Sequence, residues 1–297
     1  MAEPWQLEEE RSGCFSPYRQ RKVCVSNRFL VLIGIALSSW MLTAVTARAQ
    51  NVAPGTLHSV ASIVTVDPDG SKRVTLGSAF FVEVPSKAYS GSSFVYLITA
   101  RHNLFDNDGN PIAKPRISLE DSRTGMLRED SLPLGDRWFS DPKDESVDLA
   151  VLPFAPAHTT FTTIPLARFI NLGAGTTIPL DSQLGAEAYY LSVISGAELE
   201  SRPVVVTRFG RVSVAQPAAS EVPGAGKQNL CFLEGASAPQ SSGAPVFLRN
   251  ADSAVLWGMV EASSDVPNQF SGLIGVVPAA AIAETVQAMA AAQEKKR

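Results

Sequence analysis

The chain has 297 residues, 45% of them hydrophobic and 18% charged, with a formal net charge of −4. That is ordinary globular composition, enough for one large core or two smaller ones. The first 49 residues hold six of the 25 Lys and Arg and four of the 29 Asp and Glu, so the remainder carries −6. An acidic surface repels phosphate backbones, which argues against nucleic acid as a partner.

Arg19, Arg21, Lys22 and Arg28 precede an uncharged run of 17 residues, Phe29 to Val45, and then Ala47-Arg48-Ala49. Basic flank, apolar run and small residues in A-x-A spacing predict an export signal over 1–49, cleaved after Ala49. The alternative is an uncleaved membrane anchor, because 17 residues is the lower limit for a span. Either reading places the rest of the chain outside the cytoplasm, periplasmic or secreted, with no other membrane contact. Cys14 and Cys24 belong to the signal, leaving Cys231 alone and no internal disulfide. Stability then rests on packing, as in a bacterial exported protein of good size. Cys231 lies in the apolar run Asn229–Leu233 and reads as an inert core thiol.

From residue 58 the pattern is that of strands. His58 to Val66 alternates and is β-branched, and ends at the turn Asp67-Pro68-Asp69-Gly70. Arg73 to Val84 predicts a second strand and Phe94 to Thr99 a third, which delivers His102 at its C-terminal end. Residues 104–147 are loops and edge strands, with short pieces at 116–119 and 126–127. The chain turns apolar at Asp148–Phe154, and 158–185 reads as a connection. Strands follow at 187–194, 204–208, 210–214, 229–233, 244–248, 254–260 and 271–277. Many short strands between turn signals argue for a sandwich or barrels. Pro278 to Ala291 is alanine-rich, with Ile282, Val286 and Met289 on one face, and predicts a helix.

The most informative stretch is Ala238-Pro239-Gln240-Ser241-Ser242-Gly243-Ala244-Pro245-Val246-Phe247. It sets a serine before glycine in a tight turn that runs into an apolar strand. Such a turn exposes the hydroxyl and leaves backbone N–H groups free, which is what acyl transfer requires. Ser242 is preferred to Ser241 because the following glycine leaves room for substrate. Read alone, the segment is an ordinary Ser/Gly turn. His102 at a strand-to-loop junction suits a general base, although a lone histidine is more often a satisfied core residue. Asp148 at the edge of an apolar run suits a carboxylate that fixes the imidazole tautomer. Asp144 and Glu145, in a polar loop, suit it less. The backbone N–H groups of Gln240 and Ser242 are the candidate oxyanion donors. Three scattered histidines and one remaining cysteine show no metal-ligand spacing, so no metal or other cofactor is expected.

Gly77–Val82, Leu97–His102, Asp148–Leu152, Ser242–Phe247 and Trp257–Val260 resemble the successive signatures of trypsin-like (chymotrypsin-fold) serine peptidases. The order His, Asp, Ser fits that family, as do the separations of 46 and 94 residues. The resemblance runs from about Leu57 to Ala290. It implies an all-β fold of two antiparallel six-stranded barrels with a C-terminal α-helix. The N-terminal barrel, 52–165, would carry His102 and Asp148; the C-terminal one, 166–297, would carry Ser242 and the helix. It also implies hydrolysis of peptide bonds in a polypeptide substrate through an acyl-enzyme.

The chain departs from the family pattern at three places. Gln240 stands where the family has glycine, which puts a preformed oxyanion hole in question. Ser241 stands where the family has the aspartate that pairs with a freed N-terminus, so that activation switch is not expected. Ala236 stands at the base of the primary specificity pocket, without the acid that selects Lys or Arg. Glu261, Ala262 and Ser263 are the other candidates for that pocket. Two further readings stand beside the peptidase: an inactive relative that serves as a binding module, motivated by Gln240, and an esterase. The chain lacks the Gly-x-Ser-x-Gly elbow and βα alternation that the α/β-hydrolases would show.

Overall fold

The computed structural model describes residues 52, 54–67, 69–70, 72–106, 108–133, 137–144, 146–194, 204–222, 226–250, 253–263 and 272–295. The segment read as an export signal, with Cys14 and Cys24, lies outside them.

Two antiparallel strand groups and a C-terminal helix make up the described chain, in agreement with the all-β expectation. The first group holds β1 (Val60–Val66), β2 (Arg73–Pro85), β3 (Ser93–Thr99), β4 (Arg116–Asp121), β5 (Leu127–Ser131) and β6 (Ala150–Pro153). They are ordered β5-β4-β1-β2-β3-β6. Two two-residue strands from the 158–185 connection join this sheet. One is β7 (Thr159–Thr160) on β4, and the other is β8 (Ile164–Pro165), parallel to β2. The end strands β5 and β6 are not hydrogen-bonded to each other among the described residues.

The second group is β9 (Glu187–Ile194), β10 (Val204–Val222), β11 (Gly226–Gly235), β12 (Pro245–Asn250), β13 (Ser253–Ser263) and β14 (Leu273–Pro278). It closes as a six-stranded barrel, ordered β10-β11-β14-β13-β12-β9. The helix Ala279–Lys295 follows β14 directly.

Strand alternation sorts the apolar residues into three cores. Ile63, Ala79, Phe81, Leu97, Ile117 and Leu152 fill the inside of the first sheet. Tyr190, Leu233, Val246, Trp257 and Ile274 fill the inside of the barrel. The alternate residues of the same strands, Phe80 and Val82 of β2 with Tyr189 and Leu191 of β9, meet in a shared third core. Ile282, Val286 and Met289 of the helix seal that core. The helix is thus a wedge between the two strand groups, and its apolar face is the one its periodicity predicts.

Strand β10 differs from the sequence reading, which breaks at Phe209 and starts a new strand at Gly210. It runs unbroken through Gly210, which pairs with Ala188 on one side and Gly235 on the other. A Cβ at Gly210 would lie 2.6 Å from the Glu234 carbonyl oxygen, so this glycine allows close strand approach. Pro217 is tolerated in the same strand because it falls where the β10–β11 register shifts, between Val214 and Ala218.

Ile282 is fully buried in the shared core. Ile282→Ala should destabilise the protein by about 2–5 kcal/mol. Urea unfolding should show a lower midpoint with the slope unchanged.

Candidate active site

Pairing between β3 and β6 brings two distant stretches together. Thr99 sits opposite Ala150, so the residues just past the end of β3 lie beside those just before β6. Beyond Thr99, Ala100 is extended and Arg101–Asn103 make a single 3-10 turn. That turn carries His102, whose side chain stays 41% exposed. Ahead of β6, Asp141 and Asp144 accept backbone N–H groups of Lys143, Asp144 and Ser146 and shape the loop that leads to Asp148.

Asp148 is only 6% exposed and spends both carboxylate oxygens on His102. Oδ1 accepts the backbone N–H of His102 at 2.9 Å, and Oδ2 is hydrogen-bonded to ring Nδ1. Two bonds to one residue fix both the turn and the ring. With Nδ1 donating to the carboxylate, the neutral ring keeps its free lone pair on Nε2. Burial works to lower the basicity of His102. The hydrogen bond and charge of Asp148, with the charge of Glu261, outweigh it and hold the imidazole above its usual range.

Glu261 is the residue whose place the sequence left undetermined. A candidate for the specificity pocket, it is 1% exposed and lies close to the His102–Asp148 pair. The ligand atoms of the three residues lie within 4.8 Å of one another. Burial, and secondarily the negative charge of Asp148, push the Glu261 carboxyl up to about 7. Its Oε1 accepts from Gln228 Nε2 at 3.3 Å, and its Oε2 has no hydrogen-bond partner. This is the one cluster of His, Cys, Asp or Glu among the described residues compact enough to hold a cation. Its members come from three separate stretches, so no ligand spacing shows in the sequence. The Nδ1–carboxylate bond already engages two of the three, an arrangement suited to holding protons.

Ser242 reaches this region from the other strand group. Its carbonyl accepts the Ser78 N–H at 2.8 Å and Asn103 Nδ2 at 3.0 Å, and Asn103 directly follows His102. Ser78 Oγ donates to the Gln240 carbonyl at 3.1 Å and accepts the Val193 N–H at 3.4 Å. Thr99 Oγ1 donates to the Ser78 carbonyl and accepts from Asn103 Nδ2. Gly243, at φ 88°, packs so closely that a Cβ there would lie 1.9 Å from the Ser78 carbonyl oxygen. No hydrogen bond joins the Ser242 hydroxyl to the His102 ring among the described residues. A base commonly tightens onto its nucleophile only when substrate is bound.

Within the turn the N–H groups divide in two. Those of Ser241, Gly243 and Ala244 donate to the carbonyls of Ala238, Val260 and Ser241. Those of Gln240 and Ser242 have no acceptor among the described residues. Gln240 adopts the left-handed backbone, φ 68°, that its glycine-like position requires. Ser241 is buried beside the Tyr190 hydroxyl, whereas Ser242 is half-buried. Ala236 is exposed, and its carbonyl accepts from Tyr190 Oη at 2.7 Å. Ala262 and Ser263 continue β13, but their side chains lie outside the described residues. Sequence reading missed the anchoring roles of Ser78, Thr99 and Asn103, which are ordinary polar residues until the two strand groups meet. An isolated acid closing the uncharged run 254–260 was the available signal for Glu261.

No family model and no curated protein matches the sequence. Among solved structures the chain is similar to the active form of the Rv3671c protease from M. tuberculosis, at 14% identity over 93% of each chain, TM-score 0.49. It is also similar to Deg5, at 15% identity over 80% of this chain and 90% of that one, TM-score 0.47. A third similar structure is the HtrA-type protease AlgW with a decapeptide, at 16% identity over 78% and 65% of the two chains, TM-score 0.44.

Gly243→Ala must displace either the turn or Ser78. It should lower stability by at least ~2 kcal/mol. A Cβ at Gly55 would meet nothing within 4 Å, so Gly55→Ala should stay within about 0.5 kcal/mol of the parent. Paired denaturant curves compare the two.

Proposed function

We propose that the chain is an exported serine-type endopeptidase, with Ser242 as nucleophile, His102 as general base and Asp148 as the group that orients the imidazole. The observation that carries this reading is the buried carboxylate of Asp148, bonded to both the backbone and ring nitrogens of His102. A buried carboxylate is costly unless paired. Pairing it this way leaves Nε2 of a half-exposed ring as an acceptor next to the turn that presents Ser242.

In the first step Ser242 Oγ attacks the substrate carbonyl carbon while His102 Nε2 takes the hydroxyl proton. The carbonyl π electrons move onto oxygen, and the resulting anion meets the free N–H groups of Gln240 and Ser242. The carbon–nitrogen bond breaks as His102 gives its proton to the leaving amine, forming the acyl-enzyme. Water, deprotonated by the same nitrogen, releases the acid and restores Ser242. Each oxyanion donor is worth about 3 kcal/mol in the transition state. The polypeptide substrate would be bound without selection for Lys or Arg, since Ala236 brings no acid to the pocket base.

Ser242→Ala should abolish labelling by a fluorophosphonate probe, and Asp148→Asn should slow it by about 10⁴-fold. Labelling that persists in the Ser242→Ala protein would reject the assignment. Folded parent protein that neither labels nor cleaves a peptide library would point instead to a binding module.

A further inference from the structure

We propose that Glu261 is a positioning residue of the His102–Asp148 pair, its buried carboxyl setting, by its own ionisation, the charge that the imidazole faces. The inference deepens the peptidase reading and rests on it for its consequence in catalysis, although the charge effect itself does not require Ser242 to react.

Three observations support it. The first is position. The β13–β14 register shifts between Val260 and Ala262, so Glu261 is the bulge residue. Bulges re-aim side chains beside functional sites. Here the carboxyl comes within 4.8 Å of both partners.

The second is incomplete satisfaction. Oε1 has the single long bond from Gln228, and Oε2 has none. A carboxyl left this poorly bonded in a buried place is held in its neutral form more readily than as an anion. The third is charge. The influences on Glu261 other than burial come from Asp148, His102 and the neutral amide of Gln228 on β11. The β14 residues opposite its flanks, Val276 and Gly275, carry no charge. Among the described residues no Lys or Arg acts on the cluster, so two anions there would be balanced only by the imidazolium.

Burial, and then the charge of Asp148, hold the proton on Glu261. While it stays there, the Glu261 carboxyl is neutral and adds no charge toward the ring. When the proton leaves, a second negative charge faces the ring and makes its protonated form harder to discharge. Glu261 and His102 therefore titrate as a coupled set, with steps that belong to the cluster.

The test is Glu261→Gln, which keeps the shape and a donor but removes the ionisation. In the Ser242→Ala background, NMR titration of the His102 ring should show the parent titrating in two steps. The Glu261→Gln protein should show one step, displaced downward by at least ~0.5 pH unit, because the removed charge is one that raises the imidazole. In protein that retains Ser242, the acid limb of the fluorophosphonate labelling rate should move down by the same amount. Should Glu261→Gln fail to fold by circular dichroism, Glu261→Ser serves as the neutral variant with the same expected displacement. An unchanged His102 titration in a folded neutral variant would overturn the proposal. A displaced titration in a protein that never labels would leave the proposal standing and reject the peptidase reading, so the two failures are separable.

Discussion

The arrangement of the site depends on one docking interaction between the two strand groups. The turn 240–243 of the second group sits on Ser78, Thr99 and Asn103 of the first, through the carbonyls of Gln240 and Ser242. Every anchoring group is fully or nearly fully buried, with Ser78 and Thr99 at 0% and Asn103 at 1% exposed. Buried hydroxyls and amides are costly unless bonded. By accepting the turn the first group gives partners to the Ser78 N–H and hydroxyl and to the Asn103 amide nitrogen, although Asn103 Oδ1 stays unbonded, and the turn gains a fixed place next to His102. The shared apolar core and the C-terminal helix hold the groups together. The polar latch sets the register within that contact.

The same economy governs Gln240. A residue with a side chain in the left-handed region is disfavoured by about 1–2 kcal/mol. At this position its carbonyl is held by Ser78 Oγ, and the carbonyl two residues on is held twice, by Ser78 and Asn103. Backbone strain persists where surrounding bonds over-determine the conformation. The absence of glycine thus does not prevent the backbone from taking the geometry that leaves two N–H groups free.

Much of this was legible in the sequence because it rests on local pattern. The strands β2, β3 and β9 and the helix follow from alternation and periodicity, and their ends agree with the reading within a few residues. His102 and Asp148, singled out by their places at strand edges, do meet. Other features were not legible because they depend on long-range proximity. Gly210 looks like the start of a separate strand until its neighbours on both sides are seen to pair straight through it. Thr159–Thr160 and Ile164–Pro165 are too short to carry a period, and become strands only because β4 and β2 offer free edges. The place of Glu261 stays open in the sequence, because it depends on pairing with β14, where the register shifts between Val260 and Ala262.

The position of Glu261 changes the electrostatic character of the site. The latch is built from neutral groups, and Ser241, where the resembling family has an aspartate, is buried beside a tyrosine hydroxyl. The charges that act on His102 and Glu261 are those of Asp148 and of each other, with no Lys or Arg among them. A change in proton count there cannot be absorbed by a neighbouring cation and falls on the imidazole. The protein has thus separated two tasks: neutral hydrogen bonds fix the backbone of the serine turn, and a small isolated set of ionisable groups fixes the basicity of the histidine that faces it.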